Sequence, residues 1–161
     1  MKTIETIDAD LKRALKRVVG SYLPPGPERD DLAQEVALAM HLALPRFRGE
    51  AALRTFVLRT AHNVCVRHVT RRRARHAREA PEAPVPDPRP GADVQISRHQ
   101  GQERLLSAVR QLPLSQRQVI TLALEELPGP EIALALGITE NAVHIRLHRA
   151  RVKLRALLET T

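Results

Sequence analysis

The sequence has no tryptophan, and only Tyr22, Phe47 and Phe56 carry large aromatic rings. Ala, Leu and Val must therefore do most of the packing, which favours helices over a sandwich or barrel. One cysteine, Cys65, excludes a disulfide framework and a cysteine-based zinc finger. Long apolar runs are also missing: the longest, Val36 to Leu44, is far short of a membrane span and contains His41. The segment from Met1 to Lys12 lacks the apolar stretch of a signal peptide. A soluble, cytoplasmic protein is expected. Acid is scarce as well, with 18 Asp+Glu against 26 Lys+Arg and a formal charge of +8. Of the basic residues 22 are Arg, whose planar fork suits phosphate, so the first expectation is a polyanionic partner. The 161 residues allow one ordinary domain or two small ones.

The charge is unevenly placed. Residues 1–45 hold six basic and seven acidic side chains and are nearly neutral, whereas residues 46–78 hold ten Arg and one acid, Glu50. A second basic block contains Arg146, Arg149, Arg151, Lys153 and Arg155, with no acid from Asn141 to Arg155. Between the blocks, residues 79–94 carry five Pro, and Glu79, Glu82, Asp87 and Asp93 stand against Arg89 alone. Such a segment has little apolar surface to bury and reads as an extended acidic linker. The expected organisation is a module over 1–78, a linker over 79–95 and a module over 96–161.

Both modules read as all-α. Leu11, Leu15 and Val18 mark a helix over about residues 8–19, closed by Gly20 and the Pro24–Pro27 turn. Leu32, Val36, Ala39, Met40 and Ala43 form a second stripe, with Asp30 or Asp31 as its expected cap and Gln34 in capping-box register. A third runs Leu53, Phe56, Val57, Ala61, Val64, Cys65, His68, Val69 and continues into Arg71-Arg72-Arg73. The second module gives four segments: one over about 96–111, one capped by Ser115, one opening near Pro130 and one capped by Thr139. The last two, joined by Gly137-Ile138-Thr139, make a helix-turn-helix.

Rotating the final helix by about 100° per residue places Val143, Leu147, Ala150, Leu154 and Leu157 on an inward side. Asn141, Ile145, His148, Arg149 and Val152 fall opposite, with His144, Arg146, Arg151 and Lys153 on the flanks. This is what a recognition helix needs: an apolar keel, base-edge donors near its N-terminus and cations for phosphate. Asn pairs with adenine, Arg with guanine, and Ile145 suits a thymine methyl. On the third helix, Arg59, Asn63 and Arg67 recur at four-residue steps away from the apolar stripe, with Arg54 and His62 nearby. Such a cluster binds phosphate without reading sequence. A charged, solvated surface face is the alternative for the final helix, and a generic basic tail for the third. His62, Cys65 and His68 spread over about a third of a turn, with Cys65 in the apolar stripe, so no metal is expected. No nucleophile elbow, phosphate loop or HExxH is present, and neither catalytic residues nor a cofactor are expected.

Taken in order, several motifs resemble a known family. Asp30-Asp31-Leu32-Ala33-Gln34-Glu35-Val36, Leu44-Pro45-Arg46-Phe47-Arg48-Gly49-Glu50, Leu53-Arg54-Thr55-Phe56-Val57 and Ala61-His62-Asn63 closely resemble region two of the extracytoplasmic-function (ECF) sigma factors. Leu112-Pro113-Leu114-Ser115-Gln116-Arg117-Gln118-Val119, Glu131-Ile132-Ala133, Gly137-Ile138-Thr139 and Arg146-Leu147-His148-Arg149-Ala150-Arg151 resemble their region four. The resemblance implies a dissociable initiation subunit of bacterial RNA polymerase. Its partners would be core polymerase (the clamp helices of the largest subunit, and the flap), promoter DNA and an anti-sigma factor. By position, Asp31, Gln34, Glu35, Leu38 and His41 would meet the clamp helices, with Leu38 and Leu42 open to a core role instead. The Arg46–Thr55 segment would hold a flipped base of the -10 element. Arg48, Arg54, Phe56, Arg59, Asn63, Arg67 and Arg71 would contact that element and the melted strand. Asn141, His144, Ile145, His148, Arg149 and Arg151 would read the -35 element. The acidic linker would thread the channel used by nascent RNA.

Three positions depart from the family pattern: Phe56 stands in place of a usual Trp, Arg67 in place of a common acid, and Ile145 in place of a small polar residue. The segment before Asp30 matches poorly. Two other readings are a stand-alone helix-turn-helix regulator, which accounts for the last 50 residues, and an adaptor or anti-sigma-like module, in which neither basic helix meets DNA.

Overall fold

The carboxylate of Asp8 accepts the Leu11 N–H at 2.7 Å and so fixes where the first helix begins. The computed structural model describes residues 4–79 and 98–160. Among these the order is α1 Ala9–Gly20, α2 Pro27–Ala43, α3 Leu53–Glu79, α4 Arg98–Arg110, α5 Leu114–Leu124, α6 Gly129–Leu136 and α7 Glu140–Glu159. Short 3-10 turns lie at Ile4–Thr6 and Leu44–Arg46, and no strand is found among the described residues. The expected all-α class is correct. Apart from Glu79, which ends α3, the expected linker lies outside the described residues.

Two caps differ from expectation. Helix α2 opens at Pro27, whose missing N–H costs nothing at a first helical position, and Gly26 with φ 150° is its cap. Asp30 and Asp31 therefore lie within the helix, and neither caps it. Helix α5 is preceded by Pro113 in extended geometry, whose carbonyl accepts from Gln116 at 3.0 Å and Arg117 at 2.9 Å. Ser115 is thus already helical. The helix-turn-helix agrees with the sequence: Gly137 is left-handed at φ 67°, and the Thr139 hydroxyl accepts from the Ala142 N–H at 3.0 Å.

The N-terminal core joins Leu11, Ala14 and Val18 of α1, Leu32, Val36 and Met40 of α2, and Val57, Leu58, Ala61, Val64, Cys65 and Val69 of α3. Each fully buried Leu or Val there contributes roughly 1.5–3 kcal/mol relative to exposure. The same apolar cluster continues through Val119 and Leu122 of α5, Ile132 and Ala133 of α6, and Val143 of α7. Ile120, on another side of α5, joins Ala108, Val109 and Leu112 of the α4 region and Ala150 and Leu154 of α7 in a second cluster. Helix α5 thus belongs to both clusters.

Polar contacts close the junction between the N-terminal and C-terminal helices. Arg110 donates to the Gly20 carbonyl at 2.7 Å, satisfying an acceptor at the end of α1, and pairs with Glu103 at 2.7 Å. Glu103 also meets Arg29 at 3.3 Å. Arg117 donates to the carbonyls of Arg110 at 2.7 Å and Leu112 at 3.1 Å, and its guanidinium carbon lies 5.8 Å from the centre of the Tyr22 ring.

Candidate nucleic-acid interface

Helix α7 presents the two sides that its sequence predicts. Val143, Ala150 and Leu154 are buried, Leu147 and Leu157 are half-buried, and Asn141, His144, Ile145, His148, Arg149 and Arg151 are all exposed. Ile145 is 41% exposed and Val152 56%, so apolar atoms stand among the donors and cations of this face. The turn before α7 sets the helix start, and with it which residues lead the exposed face.

On α3 the residues expected to meet a strand are placed differently from one another. Arg59, Asn63 and Arg67 are exposed and line an open cleft of about 600 Å³ whose far wall is Gln118, Ala135 and Leu136. Arg48 is exposed on the loop before α3, and Arg71 lies further along the helix, exposed as well. Phe56 is half-buried against Phe47, with ring centres 5.1 Å apart at 55°. Arg54 is engaged: its Nη2 lies 3.3 Å from both the Glu125 carboxylate and the Glu125 carbonyl, and its Nη1 lies 3.6 Å from Asp10.

His62, which the sequence sets near that face, lies buried at the floor of the cleft. It is only 1% exposed, and its Nδ1 meets the Tyr22 hydroxyl at 3.2 Å while Nε2 has no partner. Burial lowers its pKa to about 4, raises that of Tyr22 above its ordinary range, and raises the Cys65 thiol to about 12. His68, expected within the apolar stripe, is partly exposed and turned to acids, with Glu28 at 3.2 Å and Glu35 at 3.6 Å. Two members of the His62, Cys65, His68 spacing are therefore core residues and the third is a surface partner.

The third expected surface lies on α2. Asp31, Gln34, Glu35, Leu38 and His41 are all exposed. Leu38 at 60% and Leu42 at 63% resolve the choice left open by the sequence, because neither belongs to the core. Leu38, Ala39 and Leu42 form the apolar wall of a groove of about 220 Å³, with Glu35, Val64, Arg67 and Arg71 around it. Arg67 borders both this groove and the larger cleft.

Sequence reasoning missed two residues at the junction. Arg17 of α1 forks onto Glu125, with Nε 2.8 Å from Oε1 and Nη2 2.9 Å from Oε2, and this hydrogen bonding raises the Arg17 pKa. Glu125 caps the end of α5 and is buried, its side chain only 4% exposed. Next to it, the Thr55 hydroxyl donates to Glu131 Oε2 at 2.7 Å. Arg17 and Glu125 lie 108 residues apart, so no local spacing joins them.

Known proteins share this architecture. The family model for sigma-70 region 2 matches residues 9–75, and that for sigma-70 region 4 matches residues 102–154. The RNA polymerase sigma factor NccH of Alcaligenes xylosoxydans xylosoxydans is 30% identical over 155 residues, covering 92% of this chain and 83% of that protein. The ECF RNA polymerase sigma factor SigD of Mycobacterium tuberculosis is 33% identical over 159 residues, covering 96% of this chain and 74% of its own length. Among solved structures, CnrH in complex with the cytosolic domain of CnrY superposes with a TM-score of 0.63 at 28% identity, over 94% of this chain and 84% of that one. The sigma factor RpoE, in complex with the anti-sigma factor NepR from Bartonella quintana, shares the fold with a TM-score of 0.73 at 18% identity, over 92% of each chain. With both sigma-70 regions matched in order and relatives at 30–33% identity along more than nine-tenths of its length, the chain belongs to the extracytoplasmic-function family of RNA polymerase sigma factors.

Proposed function

We propose that this sigma factor engages promoter DNA at two separate surfaces and core RNA polymerase at a third. The exposed face of α7 reads the -35 element, with Asn141, His144, Ile145, His148 and Arg149 toward base edges and Arg151 toward the backbone. The Arg48–Phe56 region and the Arg59, Asn63, Arg67, Arg71 face hold the -10 element and the melted strand. On α2, Asp31, Gln34, Glu35, Leu38 and His41 dock on the clamp helices of the largest polymerase subunit, and region four meets the flap. The observation that carries the reading is the pairing of an acid-free, exposed α7 face with a second basic face on α3.

Exposed Leu38 and Leu42 beside Glu35 support the docking surface, since apolar side chains at about 60% exposure favour a protein partner over solvent. No helix among the described residues is long and apolar enough to cross a membrane, which agrees with action beside polymerase in the cytoplasm. The roles assigned are binding roles, and no catalytic residue or cofactor is invoked. An anti-sigma factor holds the protein inactive by covering these faces; CnrH is known in complex with the cytosolic domain of CnrY, and RpoE with the anti-sigma factor NepR. A stand-alone regulator accounts for α6 and α7 but leaves the α2 face without a purpose.

Run-off transcription with core polymerase tests the proposal. New start sites should appear only when the protein is added, and Gln34→Ala with Glu35→Ala should weaken association with core while leaving the helical fold intact. Tight operator binding together with no association with core would overturn it.

A further inference from the structure

We propose that Arg17 and Arg54 form a seat for a nucleic-acid phosphate, and that Glu125 occupies this seat while the N-terminal and C-terminal helices are docked. The inference rests on the reading of Arg54 as a strand-binding residue and adds Arg17 to it. Three observations carry it.

First, two guanidinium groups from different helices converge on one carboxylate. Arg17 of α1 contributes both arms of its fork, at 2.8 and 2.9 Å, and Arg54 of α3 contributes Nη2 at 3.3 Å. Planar forks that grip a carboxylate in this way grip phosphate oxygens equally well. Asp10 is the other acid at the seat, 3.6 Å from Arg54 and from Arg13, and it is largely exposed. It leaves the seat with net positive charge.

Second, Glu125 is poorly placed with respect to its own helix. It stands at the C-terminal end of α5, where the helix dipole favours a cation. Its neighbour Glu126 is left-handed at φ 65°, a conformation that strains a non-glycine residue. The counter-charges that satisfy Glu125 come from the N-terminal helices.

Third, a second acid from the same group of helices reaches the same end of α3. Glu131 accepts the Thr55 hydroxyl at 2.7 Å, one residue from Arg54. The junction therefore sets carboxylates where a strand passing along α3 would set phosphates. A strand and Glu125 cannot hold Arg54 together, so docking and strand binding exclude each other.

The test measures anisotropy of a labelled, mixed-sequence single-stranded DNA with the full-length chain at several salt concentrations. Glu125→Gln keeps the shape and removes the charge. Where the docked form outnumbers the open one by about ten to one, this variant should bind about tenfold more tightly. Adding Arg17→Gln to it should reverse the gain and lower the log–log salt slope by about 0.7, the loss of one phosphate contact on a single strand. Glu131→Gln provides an independent variant at the same junction and should give a smaller gain. Arg59→Ala, away from the seat, separates the two levels of the reading. If Arg59→Ala weakens binding but neither glutamate variant strengthens it, the strand face stands and the seat is overturned. A gain in Glu125→Gln that survives Arg17→Gln also overturns the seat. If Arg59→Ala has no effect either, the strand-binding role of α3 falls as well.

Discussion

The Tyr22 hydroxyl lies 3.2 Å from Nδ1 of His62, tying the chain that follows α1 to the middle of α3 inside the N-terminal core. His62 is neutral at pH 7 because burial lowers its pKa from 6.5 to about 4. In the unfolded chain the imidazole regains its ordinary value and binds a proton near pH 6.5. Between these values the unfolded state carries more protons. Stability is therefore full above about pH 6.5 and falls as the pH drops toward 4. The loss between pH 7 and pH 5 should be about 2 kcal/mol, read as a lower urea midpoint. In His62→Gln the slope over this interval should flatten, although the variant is less stable at pH 7. An unchanged slope would place the titration elsewhere.

Cys65 shares this core and is inert for the same reason. Its thiol is fully buried and pushed up to about 12, so almost no thiolate exists at pH 8. A disulfide reagent should leave the native protein unmodified and titrate one thiol once urea is added. Rapid labelling of the native protein would show that the α3 core opens locally.

Gly20 is enclosed by the junction between the two groups of helices. A Cβ there would fall on the Arg29 guanidinium and 2.7 Å from Leu106 Cδ1, while the Gly20 carbonyl accepts from Arg110. Gly20→Ala should cost about 1–2 kcal/mol, since a methyl forced into a filled space displaces its neighbours. Arg29 can swing aside, but Leu106 is buried on α4 and cannot move far. Small-angle scattering should then show a larger radius of gyration. A radius of gyration and melting both unchanged from the parent chain would place α1 and α4 apart in solution.

The sequence disclosed what is periodic and withheld what depends on distant partners. Leu32, Val36 and Met40 recur at helical spacing and are buried, and Val143, Ala150 and Leu154 predict the inward side of α7. The Gly137 and Thr139 boundaries are also local, because a left-handed residue and a hydroxyl cap act within one turn. His62 sits at the edge of its stripe, where rotation alone leaves its side undecided and Tyr22, 40 residues away, draws it inward. The aspartate cap expected for α2 fails because Pro27 suits the first helical position and moves the start upstream, leaving Gly26 as the cap and both aspartates inside the helix. Glu125 was invisible as a partner of Arg17 because only the folded junction brings them together. The exposure of Arg59, Asn63 and Arg67 on α3 and of Asn141, His148 and Arg149 on α7, by contrast, belongs to surfaces of single helices and follows from helical spacing alone.

The helix-turn-helix offers a pair of changes with opposite consequences. Thr139 caps α7 by accepting from Ala142 at 3.0 Å, and it is not one of the side chains assigned to base edges. Thr139→Ala should lower stability by about 1 kcal/mol, because one helix-start donor loses its acceptor. Its -35 preference should remain, since the base-facing side chains are unchanged. Arg149→Ala with Asn141→Ala should do the reverse. Both residues are exposed, so stability should change by less than about 0.5 kcal/mol. Discrimination between -35 sequences should fall by about 1–3 kcal/mol for each lost base contact, roughly five- to 150-fold. Competition transcription on paired templates and urea denaturation of the same preparations read the two effects separately. Loss of discrimination in Thr139→Ala, or its retention in the double variant, would move recognition off the exposed face of α7.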